Sequence, residues 1–153
     1  MKALELKIPP VLLMLLAGAV MHIVTLFAKV EYAAETTSNI ISIVLAVVAM
    51  LPVFFALLAF RKAETTVDPT HPEAASKLVT SGVFSYSRNP MYLSFTLALL
   101  AYSVLLNNLL GLFVIVFFVV YMNRFQILPE ERFLTEKFGK QYTDYLLKVR
   151  RWL

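Results

Sequence analysis

Residues 91–128 read MYLSFTLALLAYSVLLNNLLGLFVIVFFVVYMNRFQIL, an apolar run with no charge before Arg124. A helix needs about 20 apolar residues to cross a hydrocarbon core, so the run has the length of two crossings near the minimum. It is interrupted at only two places, Asn107-Asn108 with Gly111 nearby, and Asn123-Arg124-Phe125-Gln126. A tight turn at the Asn pair divides the run into helices expected over 90–106 and 109–128, with little exposed loop at the far interface. The fold this predicts is all-α, a polytopic membrane protein.

Upstream, Ile8–Ala28 is uncharged and Ile40–Phe60 is equally long, ending at Arg61-Lys62 with Pro52 inside as a kink that lipid-buried helices tolerate. Lys2, Lys7 and Ala17-Gly18-Ala19 resemble a signal peptide, but the apolar run continues well past Ala19, which favours a retained span. About four crossings result, near 8–28, 40–60, 90–106 and 109–128, with a tail over 129–153, in a single domain over 1–153. Composition agrees: 59% of the 153 residues are hydrophobic and 16% charged, and the mean hydropathy is +0.74. A soluble domain this small could not hide that much apolar surface. There is no cysteine, which excludes disulfides, thiolate metal sites and cysteine nucleophiles. No basic, aromatic-interleaved face supports nucleic-acid binding.

Basic residues accumulate in short cytoplasmic segments. Lys2 and Lys7 precede the first span. Arg61, Lys62, Lys77 and Arg88 fall between the second and third, and Arg124, Arg132, Lys137, Lys140, Lys148, Arg150 and Arg151 lie at or beyond the end of the fourth. The opposite loops hold only Lys29. Both termini and the 61–89 connector are therefore expected on the cytosolic side. In the tail, Pro129 suits a first helical position, Glu130 and Glu131 oppose the helix dipole, and Gly139 caps the helix. Phe133, Phe138, Tyr142, Tyr145 and Val149 then mark an amphipathic interfacial pair anchored by Trp152.

Four glycines, at 18, 82, 111 and 139, leave no loop to cradle a phosphate as in nucleotide hydrolases. His22 and His71 have no second histidine at ligand spacing, so no metal is expected. His22 reads as a packing or interhelical hydrogen-bonding residue, and His71, between Pro69 and Pro72, as a solvated loop residue. Arg124 has two even readings, snorkelling to the interface or binding an anionic group. With Glu130 and Glu131 close by, a cation and two carboxylates converge at one membrane-surface position. A second polar cluster runs from Leu78 to Tyr92. There Gly82 permits a turn, and Pro90 can open the third span with free amides behind it for an anion. Phe84, Tyr86 and Tyr92 also fit an interfacial aromatic belt.

Leu78-Val79-Thr80-Ser81-Gly82-Val83-Phe84, then Arg88-Asn89-Pro90-Met91-Tyr92, an apolar hairpin, Glu130-Glu131 and Phe138-Gly139-Lys140-Gln141-Tyr142 together resemble the isoprenylcysteine carboxyl methyltransferase and phospholipid methyltransferase superfamily. That family's pattern is Arg-His-Pro-x-Tyr-x-Gly, a hydrophobic stretch and a Glu-Glu pair, in integral membrane enzymes that use S-adenosylmethionine. The resemblance covers the C-terminal half. It implies that Lys77, Leu78, Val79 and Phe84 line the cofactor pocket, with Asn89, Pro90, Met91 and Tyr92 at its core and Glu130 closing it. Arg124 or Gln126 would then serve catalysis on the acceptor side. Asn89 stands where the family has histidine, and Ser94 where it has glycine, so no imidazole role carries over.

The expected reaction is in-line transfer of a methyl group to a lipophilic acceptor, such as a prenylcysteine-like carboxylate or a related lipid or thiol, at the cytosolic interface. Catalysis would be largely positional. The expected partners are that acceptor and the lipid bilayer, with no nucleic acid and no metal. Two rivals remain at this level, a sterol-type NADPH-dependent membrane reductase and a non-enzymatic structural membrane protein.

Overall fold

The computed structural model of the chain describes residues 5–64 and 76–153, so Lys2 and His71 lie outside the described residues. Helix α1 spans Pro10–Phe27 and α2 spans Glu35–Ala63. A 3-10 turn over Gly82–Ser85 leads to α3, Pro90–Leu105. Then come α4 (Gly111–Tyr121), a π turn (Met122–Ile127), α5 (Leu128–Phe138) and α6 (Lys140–Lys148). Helices α1 and α2 and the combined segment 111–138 are each long and apolar enough to cross a membrane. At 16 residues, α3 is shorter, about 24 Å, and packs mainly along α2. The protein is an all-α integral membrane protein.

Two expected boundaries are displaced. The second span extends beyond 40–60 in both directions, to 35–63. Pro129 lies in the first turn of α5, the position expected of it, but that helix continues the fourth span rather than standing apart from it. A proline lacks the N–H that would bond the carbonyl four residues back, here that of Phe125. In this fold the Leu6 N–H donates to Phe125 O at 3.0 Å instead, and the wider π turn over 122–127 carries the helix past the gap. Pro52 leaves a comparable fault in α2, and there the Val53 N–H donates to Ser94 Oγ at 2.8 Å. Backbone groups at membrane depth must be satisfied within the protein.

Asn107 and Asn108 form the α3–α4 turn and are buried. Asn107 takes a left-handed backbone (φ 47°), which asparagine tolerates better than most residues. The Asn108 amide donates to Ala28 O (2.8 Å) and Thr25 Oγ1 (3.0 Å), and its Oδ1 accepts from Val30 N and Leu110 N, each at 3.1 Å. Asn107 Nδ2 donates to Ala33 O at 2.8 Å. The turn therefore grips the α1–α2 loop as well as reversing the chain. Both loops lie at one end, and the 82–90 connector meets the 149–152 segment at the other, where Arg88 N donates to Arg150 O at 3.0 Å. Between the ends, Met21, Tyr92, Leu99, Phe118, Met122 and Ile127 form the buried core.

Candidate active site

The connector is turned by Gly82 (φ 65°), a backbone that glycine adopts without strain. The turn sends Phe84 inward, its ring edge-on to Phe60 at 5.1 Å. The Tyr145 hydroxyl of α6 donates to Phe84 O at 2.6 Å. Burial pushes the Tyr145 hydroxyl up to about 12, and burial with the nearby Glu131 charge raises that of Tyr142 further. Both phenols are therefore neutral hydrogen-bonding groups at ordinary pH.

Beyond the turn, buried Ser87 accepts the Asn89 N–H at 3.2 Å, and the Asn89 side-chain amide donates to Arg151 O at 2.9 Å. Asn89 thus holds the chain in place at the start of α3. Pro90 is buried at the first helical position, and the N–H groups of Met91 and Tyr92 belong to the first turn, where no intrahelical acceptor exists. Met91 is half-buried against the core.

Three side chains from two segments close on one another here. The buried Tyr92 hydroxyl donates to Glu130 Oε1, and Gln126 Nε2 reaches the same carboxylate oxygen and lies 3.4 Å from the Tyr92 hydroxyl. Gln126 and Glu130 are four residues apart, one turn of the helix. The described hydrogen bonds to this carboxylate both end on Oε1. No described hydrogen bond reaches Oε2.

The expected site residues divide on this geometry. Tyr92, Gln126 and Glu130 form the cluster, with Asn89, Pro90 and Met91 framing it. Phe84 is buried and Leu78 and Val79 are half-buried, and no described hydrogen bond joins any of the three to the cluster. Lys77 is exposed and pairs with Glu64 at 3.7 Å. Arg124 is also exposed. Two positions from Gln126, it lies on nearly the opposite side of the helix, outside the hydrogen-bonded cluster.

Other residues in this region, named in the sequence for other roles, form a network of their own. Glu131 pairs with Arg88 at 3.3 Å and receives two hydrogen bonds from Arg151, at 3.1 and 2.7 Å. The latter hold the Arg151 guanidinium more firmly protonated. Arg88 Nε is buried without a partner. Trp152 Nε1 donates to Asn123 Oδ1 at 3.1 Å, and its ring packs against the core where an interfacial anchor was expected. The adjacency of the Glu pair was the available signal. Neighbours on a helix point about 100° apart, so two consecutive glutamates serve different partners. Among the described residues, no group of three His, Asp or Glu lies together as a metal site would require.

A sequence model of the phospholipid methyltransferase family matches residues 37–141. An uncharacterized protein of Haemophilus influenzae is 48% identical over 63 residues, which is 41% of this chain and the whole of that protein. Protein-S-isoprenylcysteine O-methyltransferase of Saccharomyces cerevisiae is 36% identical over 80 residues, which is 52% of this chain. The aligned stretch amounts to 34% of the yeast protein's length. No solved structure matches.

Proposed function

The chain belongs to the phospholipid methyltransferase family, and from that premise we propose that it transfers a methyl group from S-adenosylmethionine to a lipophilic acceptor at the cytosolic face of a membrane. The observation that carries this reading is the Tyr92–Gln126–Glu130 cluster, assembled from the two segments that bear the family motif.

The groups present fit such a donor. Glu130 Oε2 suits its ammonium, and the first-turn amides of Met91 and Tyr92 with the unpartnered Arg88 Nε suit its carboxylate. Phe84 and Tyr92 supply aromatic walls for the adenine and the sulfonium. When bound, the donor supplies an electrophilic methyl on a positively charged sulfur.

The chain's own residues bind, orient and exclude water. Tyr92 and Gln126 fix the Glu130 carboxylate by donating to one oxygen, so its other oxygen points in one direction. Gln126 and the half-buried start of α3 define where an acceptor atom must arrive. Holding the reactants in line removes up to about 7–11 kcal/mol of barrier as orientation entropy. Among the described residues no histidine belongs to the cluster, and Asn89, which stands where the family has histidine, binds main chain. An acceptor that is already ionised, such as a carboxylate, needs no base and is favoured over an amine. The basic residues gathered at this end of the bundle support the cytosolic assignment.

The test is purified protein in nanodiscs, incubated with radiolabelled S-adenosylmethionine and total membrane lipid or S-prenyl cysteine analogues. Donor-dependent label in a lipid-soluble product supports the reading. Tight NADPH binding without S-adenosylmethionine binding supports the reductase rival.

A further inference from the structure

Residues 150–152 touch both elements of the proposed site. At one end, Arg150 O and Arg151 O accept from Arg88 N and Asn89 Nδ2 at 3.0 and 2.9 Å. The Arg151 guanidinium grips Glu131 through two hydrogen bonds. At the other end, Trp152 Nε1 donates to Asn123 Oδ1 at 3.1 Å inside the π turn, three residues before Gln126. In sequence, Asn89 lies three residues before Tyr92, and Asn123 three before Gln126.

This placement differs from what a simple anchor requires. The chain leaves α6 in extended conformation at Val149 (φ −123°, ψ 134°), which frees main-chain carbonyls to serve as acceptors. They meet the two residues that open α3. The π turn has poorer hydrogen-bond geometry than an α-helix and persists where its surroundings over-determine it. Trp152 contributes one such constraint through Asn123, and Leu6 contributes another through Phe125 O.

We infer that residues 150–152 form a clasp with two separable ends: the Arg151 guanidinium, anchored on Glu131, holds the Arg151 carbonyl against Asn89 on the donor side, and Trp152 positions Gln126 on the acceptor side through Asn123. The inference rests on the methyl-transfer reading above. Both are positioning residues, since neither belongs to the Tyr92–Gln126–Glu130 cluster itself.

The experiment compares Trp152→Phe, Asn123→Ala, their double variant, Arg151→Met and Arg151→Lys in nanodiscs. Each is measured with labelled S-adenosylmethionine and an S-prenyl cysteine analogue, alongside the donor-induced thermal shift. Trp152→Phe keeps an aromatic ring, though a smaller one, and removes the N–H donor. It and Asn123→Ala are each expected to lower turnover about three- to tenfold, the range of one hydrogen bond, while the KM for the methyl donor changes by less than about twofold. The double variant is expected to be no worse than either single one. Arg151→Met is expected to raise the donor KM and shrink the thermal shift, with partial rescue by Arg151→Lys. Additive losses, equal movement of both parameters by both ends, or a Trp152→Phe variant like the parent would overturn the clasp. A parent protein that neither transfers label nor responds to the donor would sink the proposed function, and the clasp's role in it as well. An active parent with unchanged variants sinks the clasp alone.

Discussion

Glu130 and Glu131, adjacent in the chain, belong to different networks: Glu130 meets Tyr92 and Gln126, whereas Glu131 neutralises Arg88 and Arg151. In the proposed function one carboxylate takes the ligand, while the other is consumed by structure. The pair should therefore fail in different ways when mutated.

Glu131→Gln leaves two largely enclosed guanidinium groups without their counter-charge. Removing one member of a buried ion pair costs about 3–5 kcal/mol, and the partial exposure of Arg151 places this case toward the lower end. Thermal unfolding in nanodiscs should show the loss with or without methyl donor. Glu130→Gln should unfold near the parent temperature and lose the donor's effect. Equal destabilisation by both variants would contradict the division of roles.

Gly111 sits against α3 so closely that a Cβ there would lie 2.3 Å from Ser103 Oγ and 2.9 Å from Ser103 Cβ. Gly111→Ala should therefore destabilise the α3–α4 hairpin by about 1–3 kcal/mol through overpacking. Ser103→Gly in the same chain should recover part of that loss, because it removes both clashing atoms. Additive destabilisation in the double variant would show that the close approach is not what Gly111 serves.

Tyr145 gives a sign for alkaline stability. Its folded-state value is raised to about 12 from an ordinary 10, so between those values the unfolded chain has lost a proton that the folded chain retains. Stability is then fully present below about pH 10 and falls as pH rises toward 12. Tyr145→Phe should flatten part of that fall and, at neutral pH, cost about 1 kcal/mol for the lost bond to Phe84 O. Unfolding measured from pH 8 to 12 checks both effects.

The membrane-spanning class and the hairpin at Asn107-Asn108 are legible in the chain because both rest on local patterns, apolar run length and a polar break. So is the meeting of Tyr92 with Glu130, though only through the motif resemblance, since no spacing rule joins residues 38 apart. The passage of the helix through Pro129 is not legible. It depends on Leu6, over a hundred residues away, supplying the hydrogen bond that proline cannot. The clasp is hidden for a similar reason. Arg151 and Trp152 look like a basic interfacial terminus, and only the path of the chain after α6 turns them back onto Asn89 and Asn123. Arg124, prominent as the first charge after the apolar run, is the opposite case: its spacing from Gln126 puts it on the other side of the helix.

The central claim is that the Tyr92 and Glu130 side chains together hold a methyl donor. Its most direct test is the stabilisation of the nanodisc-embedded protein by S-adenosylmethionine, measured for the parent chain, Tyr92→Phe and Glu130→Gln. At about a hundred times the dissociation constant the donor should add ~2.7 kcal/mol to the parent, and the same concentration should add much less to either variant. A parent chain that gains nothing from the donor, or variants that gain as much as the parent, would contradict the account.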